Sequence, residues 1–217
     1  MNPPAQNKMP ASFKWLNAAQ FLGALNDNIF KLFVIFSLIA LGGPSSASHV
    51  TALAGAVFVI PFLLFTALAG NLADRLSKRN IIVAMKIAEV AIMLFGAWAF
   101  AAESSAGLYA VLFLMSAQSA LFGPSKMGII PELVRRDRLS QANGLLTMFT
   151  FLAIVTGSAL APFLGELTGK TYASAQWICV AIAVAGAAAS LGIQKTPPAG
   201  SPRKNSVFFL RDIVQTL

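Results

Sequence analysis

The sequence has few charged residues and a single cysteine. Asp, Glu, Lys and Arg make up 11% of the 217 residues, whereas a soluble globular domain typically has about 25%. The hydrophobic content of 57% and the mean hydropathy of +0.72 exclude an ordinary soluble domain. Cys179 is the only cysteine, so the chain cannot form an internal disulfide bond.

Signals of soluble enzyme chemistry are also missing. The sequence shows no nucleophile–base set, no spacing typical of metal ligands and no phosphate-binding glycine loop. We therefore expect no catalytic residues, no metal site and no cofactor, and predict that this segment is not an enzyme. The net charge of +8 comes without an aromatic-interleaved basic surface, so we expect no nucleic-acid partner.

Six apolar segments are each close to the length of about 20 residues that crosses the hydrocarbon core of a bilayer. They cover residues 15–41, 50–72, 81–101, 108–122, 141–164 and 175–193. The predicted fold class is all-α membrane, with a six-helix transmembrane bundle over residues 15–193. A tail at 1–14 precedes it, and a long polar loop at 124–140 separates the fourth and fifth spans. A basic Pro/Ser linker at 194–206 and the start of an amphipathic interfacial helix at 207–217 follow.

Basic residues are distributed unevenly between the two sides of this bundle. The N-terminal tail and the segments after the second, fourth and sixth spans contain Lys8, Lys14, Arg75, Lys78, Arg79, Lys126, Arg135, Arg136, Arg138, Lys195, Arg203, Lys204 and Arg211. The alternate loops contain only Lys170. Because cytoplasmic loops carry an excess of Lys and Arg, this asymmetry predicts that both termini are cytoplasmic.

The first span carries a stripe of polar residues. At 100° per residue, five of them fall within an arc of about 100° on one helical face, whereas Asn26 falls on the opposite side. The five are Asn17, Gln20, Asp27, Asn28 and Lys31. Asp27 and Lys31 are one turn apart on the same face, so they can pair. The pair either lines a cavity for a charged or zwitterionic solute or fixes the packing of the helix.

The third span contains Lys86 and Glu89, which are three residues apart and therefore neighbours on the helix. Lys86 is near the predicted membrane boundary, where its side chain can extend to the surface. Glu89 is deeper and needs a partner. It either bonds Lys86 or titrates during proton coupling, and the sequence leaves both alternatives open.

The segment from Gly70 to Asn80, GNLADRLSKRN, resembles the conserved loop between the second and third helices of the major facilitator superfamily. The matching residues are Gly70, Asp74, Arg75, Lys78 and Arg79, whereas Ser77 stands where the family usually has glycine. The resemblance implies the N-terminal six-helix bundle of a major facilitator fold, built as three plus three inverted repeats. It also implies that this loop helps to govern the switch between inward-open and outward-open states.

Two further stretches are similar to the lysophospholipid transporter subgroup of that superfamily. They are ALNDNIFK, at 24–31, and FGPSKMGIIPELV, at 122–134. The same bundle resembles the membrane domain of fused acyltransferase–acyl-ACP synthetase proteins. This implies a flippase that moves lysophospholipid across the bacterial inner membrane to the cytoplasmic leaflet by alternating access. The implied partners are the substrate, membrane lipids, a C-terminal six-helix half or a second copy, and an acyltransferase/acyl-ACP synthetase.

The polar residues of the first and third spans suit such a substrate. Lys31 is expected to meet the phosphate of a lysophosphatidylethanolamine head and Asp27 its ammonium, with Asn28 and Gln20 forming hydrogen bonds. Glu89 and Lys86 complete the predicted substrate-binding set. Two alternatives remain open at this point: a major facilitator transporter for another solute, with or without proton coupling, and a membrane module of a lipid-remodelling acyltransferase.

Overall fold

A computed structural model describes residues 9–169 and 171–197 of the chain. These residues form seven α-helices and no strand. The helices are α1 (Ala11–Gly42), α2 (Ala47–Arg75), α3 (Lys78–Ala101), α4 (Ser105–Gly128), α5 (Ile130–Leu133), α6 (Leu139–Leu167) and α7 (Tyr172–Leu191). Short 3₁₀ turns at Pro44–Ser46 and Arg136–Arg138 precede α2 and α6. The predicted amphipathic helix at 207–217 and most of the predicted linker are outside the described residues.

The all-α fold class with six membrane-spanning helices is confirmed. Every helix except α5 is long and apolar enough to cross a bilayer, with mean hydropathies between 1.5 and 2.4. The first helix begins at Ala11, earlier than the predicted start at residue 15. It begins directly after Pro10, whose extended backbone (ψ 148°) starts the helix without needing a backbone N–H.

The polar segment at 124–140, predicted to be a loop, is mostly helical. Helix α4 continues through Pro124 to Gly128, and α5 and a 3₁₀ turn follow at once. Apolar residues explain this difference, because Ile129, Ile130 and Leu133 are buried in one cluster with Phe13 and other side chains. The buried side chains hold the segment against the bundle, and the charged residues between them remain near the surface.

Helix α1 is at the centre of the bundle and packs mainly against α6 and α7. Helix α2 packs on α4, and α3 packs between α4 and α7. Glycine permits a close approach of the α1 and α6 backbones: a Cβ atom at Gly157 of α6 would lie 2.8 Å from the carbonyl oxygen of Leu25 in α1. Helix α1 therefore meets other helices on more than one of its sides.

The connections α2–α3 and α4–α6 are at one end of the bundle, together with the start of α1 and the end of α7. We call it the basic end because Lys78, Arg79 and Arg135 are all located there. Direct contacts hold its parts together: Ser12 Oγ accepts a hydrogen bond from the backbone N of Gln194 at 3.2 Å, and Arg79 Nε donates to the carbonyl of Ile193 at 3.3 Å.

Candidate transport site

A buried ion pair in α3 forms the centre of the site. The Nζ atom of Lys86 is 2.6 Å from Oε2 of Glu89, and each side chain is only 2% exposed. The second carboxylate oxygen of Glu89, Oε1, accepts a hydrogen bond of 3.1 Å from Nδ2 of Asn26 in α1. Lys86 is therefore paired with Glu89 and does not extend its side chain to the membrane surface.

Small residues create the space that the Lys86 side chain fills. A Cβ atom at Gly23 of α1 would overlap the Lys86 ammonium, and one at Gly186 of α7 would lie 3.6 Å from it. The same ammonium is 5.4 Å from the ring centroid of Phe122 in α4, within the range of a cation–π interaction. Four helices thus surround a single lysine ammonium group.

Asp27 of α1 points towards α4. Ser119 Oγ donates a hydrogen bond of 2.7 Å to Oδ2 of Asp27. The other oxygen, Oδ1, is buried and has no hydrogen-bond partner among the described residues. Asp27 is also within electrostatic range of Glu89, Lys86 and Lys126. One oxygen of the carboxylate therefore has unused hydrogen-bonding capacity among the described residues.

The predicted pairing of Asp27 with Lys31 is wrong. The Lys31 ammonium instead lies 5.0 Å from the ring centroid of Phe58 in α2, and Asp27 bonds Ser119 of α4. A separation of four residues brings two side chains to similar positions on a helix, but neighbouring helices decide where their ends go. Here α2 and α4 direct the two ends to different partners.

The rest of the polar stripe meets different neighbours. Gln20 Nε2 donates to Thr150 Oγ1 of α6 at 3.2 Å, and Asn28 Nδ2 bonds the carbonyl of Ala24 in its own helix at 2.8 Å. Asn26, expected on the opposite face, is fully buried and bonds Glu89. The prediction of a single polar face is therefore wrong, because α1 is central and has protein on both of these sides.

Lys126 is a site residue that the sequence prediction missed, since it was assigned to the polar loop. It belongs to the last turn of α4, and its ammonium is 5.7 Å from the ring centroid of Phe122. Ser119, Phe122 and Lys126 are spaced by three and four residues, which places them on one helical face. This spacing was the available signal, and it required only that the helix continue past Pro124.

The residues predicted to form the switch loop are divided between two helices. Gly70, Asp74 and Arg75 belong to the end of α2, whereas Lys78 and Arg79 begin α3, so the connection itself is only residues 76–77. Lys78 Nζ forms an ion pair of 2.6 Å with Glu132 Oε1 of α5. The α2–α3 connection is thereby joined to the α4–α6 connection at the basic end.

Six helices long and apolar enough to cross a bilayer, with a buried charged cluster between them, define a multi-pass membrane protein. The chain belongs to the Major Facilitator Superfamily, whose sequence profile matches residues 16–214. This finding confirms the family that the α2–α3 segment suggested.

The chain is also similar in sequence to curated proteins. Over 203 residues the chain is 30% identical to the lysophospholipid transporter LplT of Citrobacter koseri, covering 92% of this chain and 46% of that protein. It is 30% identical over 162 residues to LplT of Photorhabdus laumondii (74% and 38%). It is 32% identical over 181 residues to LplT of Salmonella paratyphi A (82% and 41%). The chain thus spans less than half the length of the curated relatives it matches.

Proposed function

We propose that this chain forms one half of a lysophospholipid transporter of the bacterial inner membrane. The observation that carries the proposal is the buried carboxylate of Asp27, which has one oxygen bonded to Ser119 and one without a partner among the described residues. An ionisable group at membrane depth usually marks a substrate or ion pathway. The names of the curated relatives supply the substrate class.

The charged residues of α1 and α4 suit a zwitterionic head group. The free oxygen of Asp27 accepts the ammonium of a phosphoethanolamine head, and Lys31 meets the phosphate. Lys126 offers a second ammonium near Asp27, on the side towards the basic end of the bundle. Gln20 and Asn28 add hydrogen bonds when the substrate displaces their present partners. The single acyl chain remains against apolar helix faces or lipid.

Movement of the substrate requires a second six-helix unit, which is either a C-terminal half or another copy. In this proposal the two units alternate in exposing the site to the two sides of the membrane, with the substrate delivered to the cytoplasmic leaflet. The residues Gly70, Asp74, Arg75, Lys78 and Arg79 act in the switch. The excess of Lys and Arg at the basic end supports a cytoplasmic position for both termini. An acyltransferase/acyl-ACP synthetase then reacylates the delivered lipid.

Transport into proteoliposomes tests this function. The full-length protein is reconstituted, and uptake of labelled lysophosphatidylethanolamine is measured for the wild type, Asp27→Ala and Lys31→Ala. We expect losses of about tenfold or more, because each change removes a charge-assisted bond. Thr51→Ala is the control, since this exposed side chain bonds only the carbonyl of Ala47 in its own helix. Near-normal uptake in both charge variants contradicts the assignment.

The same vesicles separate the alternatives. An imposed pH gradient that drives uptake identifies a proton-coupled transporter, and the coupling is then sought in Glu89→Gln. A membrane module that only anchors an acyltransferase transports no lysolipid in any variant, while the attached enzyme retains full activity after Asp27 and Lys31 are neutralised. The buried charges favour transport, because an anchor gains nothing from the cost of burying them.

A further inference from the structure

Two opposite charges near each other at the centre of the site do not pair. The Lys86 ammonium lies against Gly23 of α1, one helical turn before Asp27, and Asp27 retains an oxygen without a hydrogen-bond partner among the described residues. In an apolar interior, direct contact between an ammonium and a carboxylate oxygen that has no hydrogen-bond partner is electrostatically favourable. The Lys86 ammonium is nevertheless bonded to Glu89, at 2.6 Å. A neighbouring group must therefore hold the Lys86 ammonium away from the Asp27 carboxylate.

Glu89 is well placed for this purpose. It is three residues from Lys86 on α3, a spacing that puts the carboxylate beside the lysine side chain. Its other oxygen is fixed from α1, because Asn26 Nδ2 donates to Oε1 at 3.1 Å. A carboxylate with bonds to two helices has little freedom to follow Lys86 elsewhere, so the position of Glu89 determines the position of the ammonium.

The surroundings of Lys86 leave few alternative positions. Gly23 and Gly186 allow α1 and α7 to approach the ammonium closely, and Phe122 is on its α4 side. Loss of Glu89 would leave the ammonium buried against the turn of α1 that runs from Gly23 to Asp27, where the Asp27 carboxylate is an anion that it could bond. An uncompensated buried ammonium is costly, so it would take that partner.

We propose that Glu89 is a specificity-determining residue that withholds Lys86 from Asp27, leaving the Asp27 carboxylate free for the ammonium of a zwitterionic lysophospholipid. The inference rests on the proposed function of Asp27. In this arrangement Lys86 and Glu89 are positioning residues that do not touch the head group, and Asn26 holds Glu89 in place. This assignment replaces the expectation, drawn from the sequence, that both residues bind substrate directly.

The selectivity of transport tests this role. Full-length wild type and Glu89→Gln are reconstituted, and uptake of lysophosphatidylethanolamine is compared with uptake of lysophosphatidylglycerol, whose head has no amine. Glu89→Gln retains the shape of the side chain but removes its charge, so the Lys86 ammonium can pair with the Asp27 carboxylate. We expect the ethanolamine-to-glycerol uptake ratio to fall about tenfold, because only the amine-bearing head depends on a free Asp27. The apparent KM for the ethanolamine lipid should rise.

A second substitution separates this role from a structural one. In Lys86→Met/Glu89→Gln the competing ammonium is absent, so we expect the uptake ratio to return to the wild-type value. Lys86→Met alone should have a ratio at or above that of the wild type. Equal loss of selectivity in the single and double Glu89 variants overturns the proposal, because Glu89 would then be needed for itself. Equal loss of both substrates in Glu89→Gln overturns it too.

Glu89→Asp covers the case in which Glu89→Gln does not fold. It retains the charge but shortens the reach towards Lys86 by one methylene, so its uptake ratio should fall between those of the wild type and Glu89→Gln. A wild-type ratio in a folded Glu89→Asp contradicts the proposal. Uptake by the wild type distinguishes failure of the proposed function from failure of this role of Glu89. Absence of any lysophospholipid uptake rejects the proposed function and this role together, whereas normal uptake with unchanged selectivity in the variants rejects only this role.

Discussion

Helices α1 and α2 differ in how they use apolar sequence. In the most apolar stretch of α1, 39% of the residues are buried and the mean hydropathy is 1.6, whereas the values for α2 are 17% and 2.4. The more hydrophobic helix is thus the less buried one, which is the reverse of the relation in a soluble protein. Lipid solvates the apolar face of α2, and protein encloses the polar groups of α1.

Because of this difference, the loss of stability caused by a substitution should depend on whether the residue lies in the interior or on the outer surface of the bundle. In the interior around α1, substitutions break ion pairs and packing that lipid cannot replace. On the outer surface of α2, lipid fills the space that a shortened apolar side chain leaves, so little contact is lost. Four substitutions, measured as changes in the free energy of unfolding of the full-length protein in lipid–detergent micelles, test this contrast.

Lys86→Met should have the largest effect. Breaking a buried pair by removing one partner leaves Glu89 without its cation, at a cost of about 3–5 kcal/mol. The double variant Lys86→Met/Glu89→Gln should recover most of this loss, since it removes the unpaired charge. A double variant as unstable as the single one would indicate that the pair contributes through packing and not through charge.

Phe30→Ala should destabilise the protein by about 3 kcal/mol. Phe30 is fully buried in α1, and its ring meets that of Phe100 edge-on at 5.9 Å between centroids. Truncation leaves a cavity that neighbouring helices fill only in part. Phe30→Leu is the conservative comparison and should lose less. If Phe30→Ala matched a lipid-facing substitution, the contrast between interior and surface would fail.

Gly157→Ala should cost about 1–3 kcal/mol, because the new methyl group would be 2.8 Å from the Leu25 carbonyl oxygen and must push α6 away from α1. The matched control is in the same helix. A Cβ atom at Gly144 meets nothing within 4 Å, so Gly144→Ala should be neutral or slightly stabilising. Equal effects of the two alanines would contradict the close approach of these helices.

Leu63→Ala should have the smallest effect, below about 0.5 kcal/mol. Leu63 of α2 is 78% exposed in the isolated bundle, and we expect lipid to surround it in the membrane. Little contact with protein is lost when it is shortened. A loss comparable to that of Phe30→Ala would show that protein and not lipid covers this part of α2, which would identify the surface where a second unit docks.

The positions of the helices could be predicted from the sequence better than the contacts between side chains of different helices. Hydropathy placed all six spans because crossing the bilayer sets a length and an apolarity that the chain must satisfy. The periodicity of α1 showed that Asp27 and Lys31 share a face, but not that Ser119 and Phe58 belong to different helices that draw them apart. Partners far apart in the chain are determined by helix packing, which residue spacing does not encode.

Asn26 and Lys126 illustrate two further limits. Helical periodicity places Asn26 on the side of α1 opposite the polar stripe, but it does not show that α3 packs there and supplies Glu89 as its partner. Lys126 was assigned to a loop because charged residues and Pro124 follow the fourth span. The helix continues past that proline, so the lysine reaches the neighbourhood of Asp27.

The overlap between position 23 and the Lys86 ammonium has an evolutionary consequence. A methyl group at position 23 and the Lys86 ammonium cannot occupy this space together, so the end of the lysine side chain would have to leave its position beside Glu89. Homologous chains are therefore expected to change the two sites jointly, with alanine or serine at the first site accompanying a shorter residue at the second. The acidic residue at position 89 should disappear along with the lysine, so these three positions would covary.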